Sequence, residues 1–586
     1  MVLEKLVTRI FLISFALLLV FWATALYEFP LVYDDIKQIL ENPRIQGWHG
    51  YRNAFLFDAW SFDEWKASSS YYRPMLALWL TTGWLLWGKS AAGFHLASLA
   101  CHLGAAASLF LLGRRLSIST RALGLAVFVF VFHPISIQAV ALIAAVGDPL
   151  SAVAVFGMCA AVIRADAREG DFNPADPMKA LIRRLSPIGI VLGLIAALTL
   201  ERAWPYLILP SAYCWFRHRS IRLSLASAFA HGSAVLLVLG VRQAVLSPHH
   251  ATTTTQAGAG ETLLFIPRIA ARYLENLALP HHLSLAYADM PGEVIDLRWL
   301  IGLLALLVIT VGMVMISRGD PRRSFLAFAA LVPGSPALLA LVLPYPDYVQ
   351  DRYVYIPAGF ASLWVANVVA SGWTWWPKRR PVIGSMVPLW LITLLILFPS
   401  NATIWRDDVS LYERAVEVAP HNAKYLMNLS NALRRKDPGA DGQCTLLGRA
   451  SSARYPFATA DELAILNYNL GNCHRGQGQL QRSLKHYADA YDASRGALHR
   501  AKHNMVVVLM ELGRLDEALS QANELTTVHP NIAAAWRLRA VVLAKMQRWN
   551  DAEQSVQKSI AIDGESPPNK RLLEQILAAT RSKKPN

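Results

Sequence analysis

Residues Trp299 to Ile316 read WLIGLLALLVITVGMVMI, and Arg318, Arg322 and Arg323 follow directly. No charge interrupts the run, and about 20 mostly apolar residues are what a helix needs to cross a bilayer. The same alternation of apolar run and basic loop recurs along the chain. Working outward, the runs are Phe11–Tyr27, Phe94–Gly113, Ala122–Gln138, Ala139–Ile163, Pro187–Leu200, Trp204–Phe216, Leu223–Leu246, Trp299–Ile316, Phe325–Leu343, Val354–Ala370 and Val382–Pro399. With the N-terminus on the cytoplasmic side, Arg114, Arg115 and Arg121 fall inside. So do Arg164 to Arg184, Arg217 to Arg222, Arg318 to Arg323, and Lys378 to Arg380. Every strong basic cluster then shares one side and the C-terminus takes the other, which is the positive-inside pattern. The expected fold is all-α, a polytopic bundle of about eleven spans.

Only 17% of the 586 residues are charged, too few for a soluble chain of this length. The formal charge of +15 resides largely in the short loops, so it points to a bilayer and to no nucleic acid. Two segments are expected to lie at the outer surface without crossing. Pro74 to Gly88 is short and carries Trp79, Trp84 and Trp87, which suits an interfacial helix. Leu263 to Leu279 carries Arg268, Arg272, Glu275 and Asn276. Residues 1–404 therefore form a membrane domain with a long first outer loop, 28–93.

From Trp405 onward the chain turns polar and shows a period of about 34 residues. Gly478-Gln479-Leu480-Gln481-Arg482-Ser483-Leu484 matches Gly513-Arg514-Leu515-Asp516-Glu517-Ala518-Leu519, and then Gln547-Arg548-Trp549-Asn550-Asp551-Ala552-Glu553. Paired helices of this kind resemble tetratricopeptide repeats, which stack because one unit cannot bury its own apolar face. Residues 405–586 are expected to be such a solenoid on the non-cytoplasmic side. Cys444 and Cys473 both lie in it, and an oxidising compartment would allow them to pair. Spacing alone leaves that pairing open.

Ionisable groups at span ends are costly and tend to be functional. Asp34-Asp35 follows the first span, and adjacent carboxylates there can act as a general base or hold a cation. Arg73, in Tyr71-Tyr72-Arg73-Pro74, can bind a phosphate in two-pronged fashion. His133, Gln138 and Asp148 end or begin spans, as do Glu201-Arg202 and Asp351-Arg352-Tyr353. Arg352 can offset the charge of a phosphate leaving group. His95 and His102 share one helix face but stand too far apart for a metal pair, so packing and hydrogen bonding are expected of them. No G-x-x-x-x-G-K-[ST], G-x-G-x-x-G, G-x-S-x-G or H-E-x-x-H motif stands where it would matter, which removes support for ATP-driven transport, nicotinamide redox chemistry and zinc proteolysis.

Read together, these stretches resemble a known family, the transmembrane and tetratricopeptide-repeat protein O-mannosyltransferases, within the polytopic glycosyltransferases of the GT-C class. The residues that carry the resemblance are Val32-Tyr33-Asp34-Asp35, Asn42-Pro43, Tyr72-Arg73-Pro74, Gly93-Phe94-His95-Leu96 and His102. They continue with Phe132-His133-Pro134-Ile135, Gln138-Ala139-Val140, Gly147-Asp148, Asp351-Arg352-Tyr353-Val354-Tyr355-Ile356-Pro357 and the repeat tail. The resemblance implies a GT-C-like bundle with its site at the outer membrane face. It implies a polyprenyl-phosphate-linked sugar donor and a Ser/Thr hydroxyl of an acceptor protein, presented through the repeats.

Asp34 or Asp35 would then be the catalytic acidic residue, with a divalent metal, magnesium or manganese, compatible with the pair but not required. Arg73, His133, Gln138, Asp148, Glu201, Arg202, Asp351, Arg352 and Tyr353 would line the donor pocket. The family usually has Glu where Gln138 stands, and of its later Lys-Glu pair only the Glu remains in Leu200-Glu201, which bears on the identity of the sugar. Arg-rich, Lys-poor loops suit a bacterial inner membrane with a periplasmic tail. Two other functions fit parts of the pattern. One is a glycosyltransferase acting on a lipid or polysaccharide, its repeats recruiting a partner. The other is a non-enzymatic membrane scaffold or transporter, which leaves the charges gathered on one face unexplained.

Overall fold

A computed structural model describes residues 2–60, 62, 71–169, 184–245, 259–285, 287, 295–331, 349–375, 378, 380–437, 442–453 and 460–582. Regular structure within them is helical, with no strand. The chain divides into two compact units, Met1–Ala419 and Pro420–Asn586. That division falls beyond the expected boundary at 404/405, because the helix Asp408–Val418 packs with the first unit.

Among the described residues of the first unit, six helices are long and apolar enough to cross a membrane: Ala91–Arg115, Ile143–Arg168, Ile221–Val245, Leu297–Ser317, Asp351–Gly372 and Gly384–Arg406. Phe15–Glu28 and Pro187–Thr199 are shorter apolar helices, and a bent pair, Thr120–Phe132 with Pro134–Ala141, supplies one more element. Each matches an expected run. Trp204–Phe216 differs. It opens as a tight 3-10 turn, Glu201–Ile208, with buried Glu201 and Arg202, and continues as a helix of only 10 residues, Leu209–His218. At 1.5 Å per residue that helix is too short to span. Of the expected Phe325–Leu343 run, residues 332–343 lie outside the described residues; the rest belongs to the helix Pro321–Leu331.

Proline chemistry explains the bent pair. Pro134 offers no N–H to continue the helix, and a residue before proline is driven to extended backbone. His133 accordingly sits at φ −71°, ψ 125°, and the two helices meet at 52°. This break sets Gln138 on a short helix, Ile137–Ala141, ahead of a 3-10 turn, Ile143–Ala145.

The Ile143–Arg168 helix is the centre of the bundle. Phe156 on it is fully buried, its ring 6.0 Å from that of Phe130 and 5.1 Å from that of Phe360. Gly359 permits this approach, since a Cβ there would stand 2.4 Å from the Phe156 ring. Leu297–Ser317 lies at the periphery. Leu300, Leu304, Leu307 and Val311, spaced along one helix face, are all exposed there. Such a face suits lipid, which is as apolar as the side chains themselves.

The second unit is a run of paired helices. Ala460–Gly476 pairs with Leu480–Ala493, His499–Glu511 with Leu515–Val528, and Ala533–Lys545 with Trp549–Asp563. At the turn inside each pair the backbone is left-handed, at Gly478 (φ 72°), Gly513 (φ 75°) and Gln547 (φ 61°). The repeat therefore asks for glycine, and the third copy does without it. Ser483, Ala518 and Ala552, the small residues of the motif, are each fully buried where the helices of a pair meet. Cys444 and Cys473 are bonded, with Cα atoms 5.8 Å apart, tying Gln443–Ser451 to Ala460–Gly476.

Candidate functional site

The loop after the first helix decides what the two aspartates can do. Tyr33 takes a left-handed backbone (φ 53°), and its N–H donates to Asp408 Oδ1 at 2.9 Å. A single π-helical turn, Ile36–Leu40, follows with Asp35 at its start. The Asp35 side chain is fully buried, and its oxygens accept from the N–H groups of Ile143 (3.2 Å) and Ala144 (2.6 Å). Burial pushes its carboxyl up to about 8, against the pull of those two donors, and neighbouring Asp34 adds to the rise. Asp34 is half-buried. The expected acidic pair is thus two different residues: Asp35 pins the loop to the 143–145 turn, and Asp34 keeps access to solvent.

On the other side of that turn, Gln138 Oε1 accepts from the backbone N–H of Arg352 at 2.9 Å. Arg202 Nη2 donates to both oxygens of Asp148, at 2.8 and 2.9 Å. The Nε of Arg352 stands 4.0 Å from the same carboxylate. The Arg202 guanidinium lies over the Tyr353 ring, 4.2 Å from its centre. Arg73 Nε donates to Glu201 Oε2 at 2.8 Å and its guanidinium lies 4.3 Å over the Tyr71 ring. Arg73, Tyr353, Glu201 and Arg202 all act on the Tyr71 phenol, which burial pushes well up.

Seven residues far apart in sequence therefore form one cluster: Arg73, Gln138, Asp148, Glu201, Arg202, Arg352 and Tyr353. Its ionic side chains are three arginines against two carboxylates. The acids are nearly enclosed, whereas Arg73 and Arg352 keep 14% and 15% of their side-chain surface. The exposed edge of the cluster is its cationic one. Stacked, oriented guanidinium groups suit a phosphodiester.

Two expected donor-pocket residues do not join the cluster. His133 accepts from Ile135 N–H at Nδ1 (3.1 Å) and meets the Leu277 carbonyl at Nε2 (3.0 Å). Both ring nitrogens are occupied by backbone at the proline break, which leaves His133 a structural role. Asp351 accepts from Tyr287 Oη at 2.6 Å and from Asn276 Nδ2 at 2.9 Å, and so anchors the neighbouring helix Ala259–Ala278. Neither Tyr287 nor Asp408 stands out in the sequence, since each acts through a contact distant along the chain. Asn276 was visible only as a polar residue in an otherwise apolar run.

His95 and His102 make the expected hydrogen bonds, His95 with the Pro30 carbonyl and His102 with Tyr355 Oη and the Val131 carbonyl. Among the described residues no group of three or more His, Cys, Asp or Glu side chains is placed to hold a metal. Both Asp35 oxygens are already engaged by N–H donors. The aspartates do not fit a chelating pair, and no step here is assigned to a metal.

Comparison with known proteins adds four findings. A tetratricopeptide-repeat family model matches residues 504–567. A protein O-mannosyl-transferase of Caenorhabditis elegans is 22% identical over 427 residues, covering 69% of this chain and 57% of that protein. The chain thus spans little more than half the length of that relative. Among solved structures, the tetratricopeptide-repeat protein YrrB, described as having an unusual peptide-binding site, shares 22% identity. That match covers 31% of this chain and 90% of YrrB, at a TM-score of 0.26. The apo oligosaccharyltransferase of Archaeoglobus fulgidus shares 13% identity over 75% of this chain and 60% of its own, at a TM-score of 0.35.

Proposed function

We propose that this chain, a relative of protein O-mannosyl-transferases, is a membrane glycosyltransferase that moves a sugar from a polyprenyl-phosphate carrier to Ser/Thr hydroxyls of a protein on the outer side of the membrane. The observation that carries the reading is the cationic cluster of Arg73, Arg202 and Arg352, held by Glu201 and Asp148 and joined through Gln138 to the turn that Asp35 pins. Stacked, preoriented guanidinium groups at one edge of the cluster suit a phosphodiester.

In this reading the lipid-linked sugar places its phosphate against Arg352 and Arg202. The acceptor hydroxyl oxygen attacks the anomeric carbon, its proton passes to Asp34, and the bond from that carbon to the phosphate oxygen breaks. The departing phosphate gains charge, which preoriented guanidinium groups stabilise more strongly than they do the diester. Asp34 is assigned the base because its half-buried carboxylate can reach a substrate, whereas Asp35 is committed to Ile143 and Ala144.

The disulfide Cys444–Cys473 supports an oxidising, non-cytoplasmic location for the repeats. The basic loops support a cytoplasmic N-terminus. The repeats are assigned to holding the acceptor protein.

The test is mass spectrometry of intact non-cytoplasmic proteins from cells with the wild-type chain or Asp34→Asn. Loss of a hexose-sized adduct from particular proteins in the variant is the expected result. An unchanged set of protein masses would overturn the protein-acceptor reading.

A further inference from the structure

Among the described residues, the buried atoms of the cluster without a hydrogen-bond partner include one on each of two uncharged or acidic side chains, Nε2 of Gln138 and Oε1 of Glu201. The residues are 2% and 1% exposed, so water does not readily serve them. Buried polar groups are normally paired, and each exception needs a reason. Rotation relieves neither. Gln138 Oε1 accepts the Arg352 N–H, so flipping the amide would set donor against donor. Glu201 turns its other oxygen to Arg73.

The two atoms ask for opposite partners. Gln138 Nε2 can only donate, and a carboxylate oxygen can only accept. A phosphodiester carries no proton at neutral pH. It would satisfy Gln138 and repel Glu201. A sugar hydroxyl has the proton that Glu201 needs.

We infer that the two side chains divide a glycosyl phosphate between them. Gln138, beside Arg352, donates to a phosphate oxygen. Glu201, beside Arg73, accepts from a hydroxyl of the transferred pyranose and is the residue that recognises the sugar. This assignment rests on the reading of a polyprenyl-phosphate sugar as donor.

The test compares two probes on the full chain in lipid nanodiscs: undecaprenyl phosphate, and undecaprenyl phosphate bearing mannose. Gln138→Leu is expected to weaken both, by about tenfold, the loss of one hydrogen bond to a charged group. Glu201→Gln keeps its bond to Arg73 and removes the charge. It is expected to weaken the mannose-bearing probe several-fold while holding or raising affinity for the bare phosphate, because the repulsion is gone. A second measurement does not depend on the variant's stability alone. A series of deoxymannosyl probes should contain one whose missing hydroxyl weakens binding to the wild type and not to Glu201→Gln, as a double-mutant cycle requires. Equal loss of both probes in Glu201→Gln, or no such deoxy probe, would overturn the assignment and leave the donor reading standing. Failure of the wild type to bind either probe would overturn the donor reading itself.

Discussion

Asp34 and Asp35 are chemically identical neighbours, and the fold gives them different tasks. Replacing Asp35 by Asn keeps one acceptor oxygen for the 143–144 turn, whereas Asp35→Ala orphans the buried N–H of Ile143, at about 1–3 kcal/mol, and the part-buried N–H of Ala144. Asp35→Asn is therefore expected to insert and retain transfer, Asp35→Ala to be unstable, and Asp34→Asn to fold and lose transfer. Extraction yield, melting temperature and sugar transfer measured on the three variants check this; full transfer by Asp34→Asn would remove it as the base.

A pH dependence follows from the same burial. The Asp35 carboxyl is raised from an ordinary 3.8 to about 8, so the folded state binds the proton more tightly than the unfolded one. Its contribution to stability is complete below the unfolded value and is lost as pH rises through the folded one. Melting temperature should fall between about pH 4 and about pH 8, and the fall should be shallower in Asp35→Asn, which has no proton to lose. Parallel curves for the two proteins would contradict it.

The cluster of Arg73, Gln138, Asp148, Glu201, Arg202, Arg352 and Tyr353 was legible in sequence because charges at span ends are rare and costly. The division of labour between Asp34 and Asp35 was not, because it depends on two N–H groups more than a hundred residues away. His133 misled for a related reason: beside Pro134 an imidazole that serves backbone looks the same in sequence as one that serves a ligand.

At the level of elements, the repeats were legible from their period, and their turns show where one copy departs from its own rule. Gln547 holds a left-handed backbone that Gly478 and Gly513 adopt without strain. Left-handed backbone costs a residue with a Cβ about 1–2 kcal/mol, offset in part by glycine's greater freedom when unfolded. Gln547→Gly is expected to stabilise the repeat unit by up to about 1 kcal/mol. Thermal denaturation followed by circular dichroism would test it, and a lowered melting temperature would mean that the side chain's own contacts outweigh the strain.

The disulfide was not decidable from sequence, since only the fold brings the two Cα atoms within bonding range. It closes a loop of 29 residues. By loop-closure entropy that constraint stabilises by about 3–4 kcal/mol. Cys473→Ser should lower the unfolding free energy of the repeat unit by roughly that amount, and a reductant should reproduce the loss in the wild type. Equal stability with and without reductant would argue against a bonded pair in solution.

For the whole molecule, the expected boundary at 404/405 marked where apolar sequence ends, not where the first unit ends. Composition changes at Trp405, yet the next helix stays with the membrane unit because it serves the site's loop. Asp408 accepts the Tyr33 N–H, and the Tyr412 ring meets the Tyr33 ring at 6.2 Å, one residue before Asp34. Two truncations separate the alternatives. A chain ending at Ala419 keeps both contacts and should insert, remain stable and bind the polyprenyl-phosphate sugar, while transfer to its acceptor protein falls because the repeats are gone. A chain ending at residue 404 loses Asp408 and Tyr412. Tyr33 then keeps its left-handed backbone without the Asp408 hydrogen bond, a loss of about 1–3 kcal/mol. That chain should lose donor turnover as well as protein transfer. Donor hydrolysis and transfer, measured side by side on the two truncations, read the difference. Equal donor turnover in both would mean that the Asp408–Val418 helix is a connector and that the loop carrying Asp34 is set by the membrane helices alone.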